Sequence, residues 1–352
     1  MTTLIRKKPT KKLLDSAFKN KQLSLFQDFL CNTDDERGQL SNTIALWDSI
    51  PRYSISQQAM NKLRSSEGFL SILKIDFNFR GATFTAVIRP ARIEENGRTV
   101  EYYPSANEEL IEDALRKIAA DQQQGYFDKS DYRSGAVFSL YLLREELKRR
   151  GHSRSYQQIK QSLYILALST IEILGNGVST DSLAVSAYFP ALATVTRKKL
   201  EEDPEAKWLA QFHPLVTQSI DQLTYRQYNY HQMMSHSTQL ARWLHKQLAN
   251  KFTFASLAHT FDIRYSTIKR DSALLNSYTL TRQAIKALDE AFEELKLQNI
   301  LMRIEKEEER GVRNKLEDVA YKLFPSLEFI SEMKAANKRV ALAQQTILDT
   351  TT

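Results

Sequence analysis

A pair of helices joined by a very short turn is the feature that most constrains the fold of this chain. Leucines repeat at helical spacing over 139–150, and Gly151 follows at a position where glycine adopts the left-handed helix-ending conformation cheaply. Ser155 and Gln158 have the spacing of a capping box, which predicts that the next helix begins after Ser155. Only 152–154 remain for the turn, so the two helices must pack directly against each other.

Alternating patterns on both sides of this helix pair add β-structure. Residues 69–79 and 82–88 alternate between apolar and polar side chains around Gly81, which predicts a β-hairpin with one buried face. A helix with an apolar stripe is predicted after Pro104, and 171–230 is rich in Val, Thr, Tyr and Phe, as strands are. The predicted order is hairpin, helix, helix, tight turn, helix and hairpin.

The second half repeats this order without obvious sequence identity. Its predicted elements are helices over 240–248, 254–261 and 281–297, a strand over 297–304, and a closing helix over 313–337 interrupted near Pro325. Two helix-turn-helix units, each followed by strands, predict an α+β, mainly helical fold with two tandem winged-helix domains behind a flexible basic N-terminal arm. The predicted boundaries are 1–40 for the arm, 41–230 and 231–340 for the two domains, and 341–352 for a tail.

The net charge of +7 is concentrated at the N-terminus. Residues 1–21 hold seven basic residues against Asp15 alone, so the remaining 331 residues are close to neutral. Residues 1–40 are polar with little periodicity, which is typical of a mobile arm. A role in nucleic-acid binding must therefore be argued from local clusters of charge.

The first such cluster surrounds the helix predicted over 155–170. Residues 141–162 carry six basic and two acidic side chains, in a body that is nearly neutral. Arg and Lys bind phosphates, while Gln and Arg make paired hydrogen bonds to base edges in the major groove, so this helix is predicted to contact DNA. The candidate residues are Arg149, Arg150, Arg154, Tyr156, Gln157, Lys160 and Gln161. The alternative is an ordinary solvated helical hairpin.

A second cluster lies over 264–286, which contains five basic residues and a single acidic one, Asp271. Hydroxyl side chains in this stretch are suited to phosphate oxygens, and the long helix begins within it. The candidate DNA-binding residues are Lys269, Arg270, Arg282, Gln283 and Lys286. The alternative is a loop packed on a partner protein. Two spaced clusters are better explained by two half-sites on one duplex.

Signatures of catalysis, metal binding and membrane insertion are absent from the sequence. Histidines occur at no metal-ligand spacing, and neither a glycine-rich phosphate loop nor the H-x-H motif of a rolling-circle nickase is present. The single cysteine, Cys31, excludes internal disulfides and favours a reducing cytoplasm. No apolar run is long enough to span a bilayer. We therefore expect a cytoplasmic, non-enzymatic protein without cofactor, metal site or membrane partner, associated with DNA in the nucleoid or on a plasmid.

One short motif stands out in the arm. Gln22-Leu23-Ser24-Leu25-Phe26 matches the bacterial sliding-clamp-binding pentapeptide Q-x-[SD]-L-F. In such a peptide Leu25 and Phe26 fill an apolar pocket, Gln22 hydrogen-bonds at the rim, and a flexible arm presents the motif. The alternative is an amphipathic start to the first helix of the fold. The basic, polar surroundings favour the linear motif.

The chain resembles bacterial plasmid replication initiators of the TrfA-like class. The resemblance lies in the order of elements and in three segments, the Leu46-Trp47-Asp48-Ser49-Ile50-Pro51-Arg52-Tyr53 entry, the helix of 155–171 and the unit of 254–297. It covers about 41–310, and the namesake of the class also carries a QLSLF-type clamp motif. The stretch 265–280 looks like an insertion, and the segment beyond 311 also departs from the pattern.

This resemblance implies tandem winged-helix domains that bind repeated origin sequences (iterons) in double-stranded DNA and help to open the duplex. It also implies host replication proteins as partners, with the sliding clamp first and the initiator DnaA and the replicative helicase as further candidates. Homodimer formation is left open. Two other functions remain: a winged-helix transcriptional repressor or autorepressor, which has no need of Gln22 to Phe26, and an interaction scaffold, which predicts no salt-dependent DNA binding.

Overall fold

The computed structural model describes residues 38–95, 97–120, 124–128, 130–175, 182–194, 205–222 and 224–351. The predicted arm up to residue 37, with its pentapeptide Gln22 to Phe26, lies outside these residues, so the expectations for it stay predictions.

The first unit combines a helical core with several short sheets. Its elements are β1 (Leu40–Ile44), α1 (Gln57–Leu63), β2 (Leu73–Phe79), β3 (Ala82–Arg89), β4 (Ala91–Glu95), β5 (Arg98–Tyr102), α2 (Ala106–Ala120), β6 (Gly125–Asp128), β7 (Arg133–Ser139), α3 (Leu140–Arg149), α4 (Tyr156–Leu168), β8 (Thr170–Gly175), β9 (Ser182–Ala187), β10 (Leu192–Thr194), β11 (Lys207–Gln211), α5 (Pro214–Asp221) and β12 (Tyr225–Asn229).

Three helices and three strands of this unit form a winged helix. Helices α2, α3 and α4 pack pairwise, and β7 lies between α2 and α3 in the chain. Strand β11 pairs antiparallel with both β7 and β10, in the sheet order β10-β11-β7-β6. Strands β8 and β9 interrupt this order and extend the predicted hairpin into a second sheet, β2-β3-β8-β9. Strand β12 returns to pair with β1.

The second unit repeats the same order with fewer additions. Its elements are α6 (Tyr230–Ser235), α7 (Gln239–Lys251), β13 (Phe261–Arg264), α8 (Tyr265–Ser272), α9 (Thr281–Leu297), β14 (Leu301–Arg310), β15 (Leu316–Pro325) and α10 (Leu327–Thr351). Strand β15 pairs antiparallel with β13 and β14, as β11 pairs with β7 and β10. The fold is therefore α+β with two tandem winged-helix units, and its described helices hold more residues than its strands.

Two predictions about the second unit are wrong. The helix predicted over 254–261 is a turn followed by β13, and the helix of this part of the chain, α8, begins at Tyr265. The first half of the closing helix predicted over 313–337 is strand β15, and only the part after Pro325 is helical. Buried and partly exposed side chains alternate along β15, which is the period of a strand with one face on the core.

Long side chains join a pair of fully buried helices, one from each unit. Every residue from Glu108 to Ile118 of α2 and from Leu240 to Ala249 of α7 is buried. Helices buried on all sides lie inside a protein, so α2 and α7 form the junction of the two units. Lys246 of α7 crosses it, and its Nζ donates to Glu109 at 3.0 Å and to Asp113 at 2.9 Å.

The segment 46–53, one of the three on which the resemblance rests, is part of the same core. Asp48 accepts from Arg116 at 2.8 Å, and Arg52 donates to Glu112 at 2.8 Å. The side chains of all four residues are nearly inaccessible to solvent. Despite this burial, the neighbouring guanidinium groups of Arg116 and Arg52 hold the pKa of Asp48 far below its ordinary value. The charged residues of this segment therefore hold the fold together and are not available to a ligand.

Three buried histidines also lie in the described core. The Nδ1 atom of His213 accepts from the backbone N–H of Leu215 at 3.2 Å, which caps α5. The imidazoles of His236 and His245 share a hydrogen bond of 3.1 Å. Burial, which penalises the charged form, lowers the pKa of His213 to about 3, that of His236 to about 4, and that of His245 well below its ordinary value.

We expect these histidines to destabilise the fold in mild acid for this reason. Above about pH 7 these histidines are neutral in both the folded and the unfolded chain, and their effect is absent. As the pH falls from about 6.5 towards 4, only the unfolded chain takes up protons. At pH 5, His213 and His236 should each lower the free energy of unfolding by about 2 kcal/mol. Burial raises the pKa of the Glu332 carboxyl to about 7, which stabilises the fold as the pH falls and opposes the histidine effect. Urea unfolding of the Glu332→Gln variant at pH 7, 6 and 5 therefore measures the histidine effect, and a stability of this variant that stays constant over the range contradicts it.

Candidate nucleic-acid interface

Helix α4 is positioned by the features that predicted it. The Ser155 side chain accepts from the backbone N–H of Gln158 and the Gln158 side chain accepts from that of Ser155, so the capping box is formed. Gly151 has φ of 86° and ends α3 as expected. Ile159, together with the other apolar residues of the inner stripe, is buried against the first unit. This anchoring leaves Gln157 on the exposed side of the first turn of α4.

Arg149 and Arg150, both predicted to bind DNA, have different environments. The side chain of Arg149 is 64% exposed and contacts Glu146 at 2.7 Å, so it remains accessible to a phosphate. The side chain of Arg150 is only 7% exposed. It donates to Glu146 at 2.9 Å and to the carbonyl oxygen of Gly38 at 3.0 Å, and it lies over the Tyr230 ring. These contacts tie α3 to Gly38 and to α6 and leave the Arg150 side chain little access to a phosphate, so DNA binding by Arg150 stays a prediction that the geometry does not favour.

The other predicted residues of the first unit are also partly engaged. Arg154 donates twice to Asn107, at 2.8 and 3.1 Å, and Gln161 donates to Glu95 at 2.6 Å. The base-contact prediction for Gln161 is weakened, because its amide donor is already bound within the fold. Tyr156 lies beneath the Arg144 guanidinium, and Lys160 is half-buried with a partner of its own.

Fewer of the predicted DNA-binding side chains are accessible in the first unit than the sequence indicates. Gln157 carries the hydrogen-bonding side chain best placed for a base, and Arg149 lies on the preceding helix. Arg144 is held flat against Tyr156, which orders its guanidinium beside α4. The amide donor and acceptor of Gln157 match adenine, while arginine side chains suit phosphate oxygens.

Helix α9 is the corresponding helix of the second unit. Ala284, Ile285 and Leu288 are buried against the unit, whereas Arg282, Gln283 and Lys286 are exposed in its first two turns. The contact of Lys286 with Glu290 is 3.6 Å long between two largely exposed side chains, so it is easily exchanged for a phosphate. The structure thus brings these three predicted residues together on one accessible surface.

Lys269 and Arg270 lie apart from that surface, on α8. Arg270 donates to the Asp271 carboxylate at 2.7 Å, and Asp271 also accepts from the backbone N–H of Asn78 in β2 at 3.3 Å. Helix α8 therefore packs against the hairpin of the first unit. The stretch 265–280, which looked like an insertion, is the first helix and the turn of a helix-turn-helix motif. The basic residues of the second predicted cluster are thus divided between this contact of α8 with the hairpin and the exposed start of α9.

The wing of the second unit supplies residues that the sequence analysis missed. Strands β14 and β15 meet at a tip formed by 311–315, where Arg313 and Lys315 are exposed. Arg310 donates to the carbonyl oxygen of Asn314 at 3.0 Å and orders this tip. The sequence pattern predicts a helix over 313–337, so it does not indicate a wing at these basic residues. The alternation of apolar residues along 316–325 was the signal that could have found it.

The wing tip lies level with the start of α9. Lys306 of β14 donates to Asp289 of α9 at 2.7 Å, which sets these two positions side by side. From there β14 continues about 13 Å to Arg310 at about 3.3 Å per residue. Helix α9, which runs in the opposite direction, covers about 10 Å back to Arg282 at 1.5 Å per residue. Basic side chains from two elements therefore reach the same end of the unit.

Acidic residues restrict where a polyanion can approach this unit. Glu290 and Glu293 follow the basic start of α9, and Glu305 and Glu307 are exposed on the nearby part of β14. Like charges repel a phosphate backbone. Within the described part of this unit, exposed basic side chains therefore concentrate at the first two turns of α9 and at the wing tip, where Glu308 and Glu317 also lie. Within the described ranges, no helix is long and apolar enough to cross a bilayer, and no group of acidic, histidine or cysteine side chains could hold a metal ion.

No family model and no curated protein sequence matches this chain. Among solved structures, the fold is similar to domains 2 and 3 of RctB, with a TM-score of 0.44 and 12% identity over 78% of this chain and 97% of that chain. It is also similar to the Pi initiator protein in complex with iteron DNA, with a TM-score of 0.40 and 12% identity over 68% of this chain and 98% of that chain.

Proposed function

We propose that this chain is a plasmid-type replication initiator that binds repeated origin sequences in double-stranded DNA, promotes origin opening and recruits host replication proteins. One observation carries the proposal. The first turns of α9 and the tip of the β14–β15 wing bring Arg282, Gln283, Lys286, Arg313 and Lys315 to one end of a winged helix. This is the arrangement in which a helix enters the major groove while a wing contacts the neighbouring backbone.

The rigid junction between the units supports a tandem mode of binding. Helix α4 of the first unit and α9 of the second unit each expose a glutamine beside basic residues. The buried contacts of Lys246 with α2 fix the two units relative to each other. A fixed pair of DNA-contacting helices favours two half-sites at a defined spacing, as in a repeated origin sequence.

The pentapeptide Gln22 to Phe26 favours an initiator over a plain repressor, because a repressor has no use for a sliding clamp. On this proposal the clamp is a partner, with DnaA and the replicative helicase as further candidates. The chain carries no glycine-rich phosphate loop, so the duplex is opened by binding energy. The purified protein should then release no phosphate from ATP.

A binding experiment at two salt concentrations tests the DNA-binding part of this proposal. The protein is titrated into a labelled duplex taken from the DNA that neighbours its own gene, and in parallel into a random duplex of equal length. We expect tighter binding to the neighbouring DNA and a steep loss of affinity for both duplexes as salt increases. Equal, salt-independent binding, or none, overturns the proposal and favours an interaction scaffold.

Gln157→Ala should reduce the preference for the specific duplex. If the amide contacts a base, its loss costs about 1–3 kcal/mol of specific binding and leaves binding to the random duplex nearly unchanged. Gln161→Ala is the matched control on the same helix, since its amide is bound to Glu95. Fluorescence anisotropy with the two duplexes measures both variants. Equal losses in the two variants would show that α4 does not discriminate through Gln157.

The double variant Arg282→Ala, Lys286→Ala should weaken binding to all DNA. Each lost phosphate contact lowers the slope of log affinity against log salt by about one unit, so the slope should fall by about two. Lys296→Ala serves as the control, because Lys296 lies at the far end of the same helix, bound to Glu293 at 2.9 Å. Titrations at four salt concentrations give the slopes. If the control and the double variant have the same slope, the start of α9 does not contact DNA.

A further inference from the structure

Exposed apolar side chains gather at the end of the second unit that lies opposite the wing tip. Leu297 is 80% exposed, Met302 58% and Leu327 68%. Leu301 pairs with Pro325 across the sheet, and the backbone N–H of Ser326 donates to the carbonyl oxygen of Ile300 at 3.1 Å, so the backbone segments that carry the three residues adjoin one another. We call Leu297, Met302 and Leu327 the basal patch.

The basal patch has the character of a docking surface. Single exposed apolar residues are common, but adjoining ones at this level of exposure indicate a binding site. No described residue covers them. The patch also faces away from the basic start of α9 and the wing tip, because it lies at the opposite ends of α9 and β14. A DNA-bound molecule therefore leaves it accessible.

We propose that the apolar segment Leu23–Leu30 of the N-terminal arm docks on the basal patch of its own chain. Leu23, Leu25, Phe26, Phe29 and Leu30 give this segment an apolar surface comparable to that of the patch. Because the segment includes most of the clamp-type pentapeptide, docking withholds the motif from a sliding clamp. This regulatory consequence rests on the proposed function, whereas the docking itself does not.

The place where the described chain begins supports this occupant. Leu40 pairs with Asn229, and the backbone N–H of Asn229 donates to Glu332 of α10 at 2.8 Å. Along α10, Glu332 is five residues from Leu327, a distance of about 7.5 Å. Counting about 7 Å for residues 38–40, about 5 Å for the strand pair and about 7 Å for the side-chain contact, Gly38 lies within about 27 Å of Leu327.

The intervening chain has the length to span this distance. Eleven residues separate Phe26 from Gly38 and seven separate Leu30 from it, so the two residues can lie up to about 40 Å and about 27 Å from Gly38. Tethering is most effective when the linker matches the span, and it supplies an effective concentration in the millimolar range. Charge complementarity also favours contact between the segment and the patch, because Lys19 and Lys21 precede the apolar segment and Glu328 follows Leu327. Even a weak contact is therefore populated within one chain.

The single native cysteine allows a direct test. Cys31 follows the apolar segment by one residue, and Met302→Cys places a second thiol in the patch. At low protein concentration a short bismaleimide should join the two thiols within one chain. The control is Val312→Cys, since Val312 is 84% exposed at the wing tip. We expect the intramolecular product to form at least about fivefold faster with Met302→Cys than with Val312→Cys. Equal rates, or products that join two chains, overturn the proposal.

A second measurement tests the regulatory consequence. The double variant Leu297→Gln, Leu327→Gln should bind a purified sliding clamp severalfold more tightly than the unaltered chain, because the pentapeptide is released. Val312→Gln is the control and should leave clamp affinity unchanged. Unchanged affinity in the patch variant overturns the sequestration of the motif. If neither protein binds the clamp, the clamp part of the proposed function fails and the sequestration fails with it, while the cross-linking result still decides whether the arm docks.

Discussion

Replacing Lys246 with methionine is expected to lower the free energy of unfolding by about 3–5 kcal/mol. The side chain of Lys246 is 4% exposed, and its ammonium group is the shared partner of Glu109 and Asp113. Removing it leaves two carboxylates buried in the junction without their cation, since Arg52 and Arg116 are already bound to Asp48 and Glu112. An unpaired buried charge is far more costly than the pair that it came from. Urea unfolding at pH 7 measures the loss.

Two further variants separate this electrostatic cause from a simple packing defect. Lys296→Met makes the same substitution in an exposed lysine bound to Glu293, and it should change stability by less than about 1 kcal/mol. The triple variant Lys246→Met, Glu109→Gln, Asp113→Asn removes the uncompensated charges and should recover part of the loss. If the triple variant is less stable than Lys246→Met alone, the ion pairs do not explain the effect.

The same variant connects the junction to function. The buried contacts of Lys246 join α2 to α7, and these helices carry the two winged-helix units. If a fixed spacing of the units is needed for two half-sites, Lys246→Met should weaken binding to the specific duplex more than binding to the random one. The junction then acts on specificity from a position distant from α4 and α9.

Local features of the fold were predictable because they depend on residues close in sequence. The capping box of Ser155 and Gln158 and the helix end at Gly151 each involve residues within a few positions of one another. The helix predicted over the closing segment was wrong for a related reason. Residues 313–337 join a strand to a helix at Pro325, and a single helical period was fitted across both.

The candidate site was less predictable, because availability depends on distant partners. Arg150 has the local surroundings of a phosphate-binding residue, but Gly38 and Tyr230 occupy it. Gln161 is engaged by Glu95, which comes from a strand far earlier in the chain. Charge patterns show where basic residues concentrate, whereas the tertiary contacts determine which of them remain accessible.

Changing Leu25 and Phe26 to alanine is expected to abolish binding to the sliding clamp. The two side chains supply most of the apolar surface that a docked pentapeptide buries, and each is worth about 1.5–3 kcal/mol when fully buried. The double change should therefore weaken clamp binding by about a hundredfold or more, which is most of the affinity of a short linear motif. Pull-down or anisotropy with purified clamp measures this. Lys7→Ala, which lies outside both the pentapeptide and the residues assigned to docking, is the control.

The same variant distinguishes a linear motif from a buried part of the fold. If Gln22 to Phe26 form a clamp-binding motif, thermal stability and origin binding should barely change, because the described winged-helix units begin beyond the arm. If the segment instead starts the first helix of the core, each truncation costs about 2–5 kcal/mol and lowers the melting temperature by several degrees. A lowered melting temperature together with unchanged clamp binding would end the clamp hypothesis, since the two apolar residues would then serve the fold and not the partner.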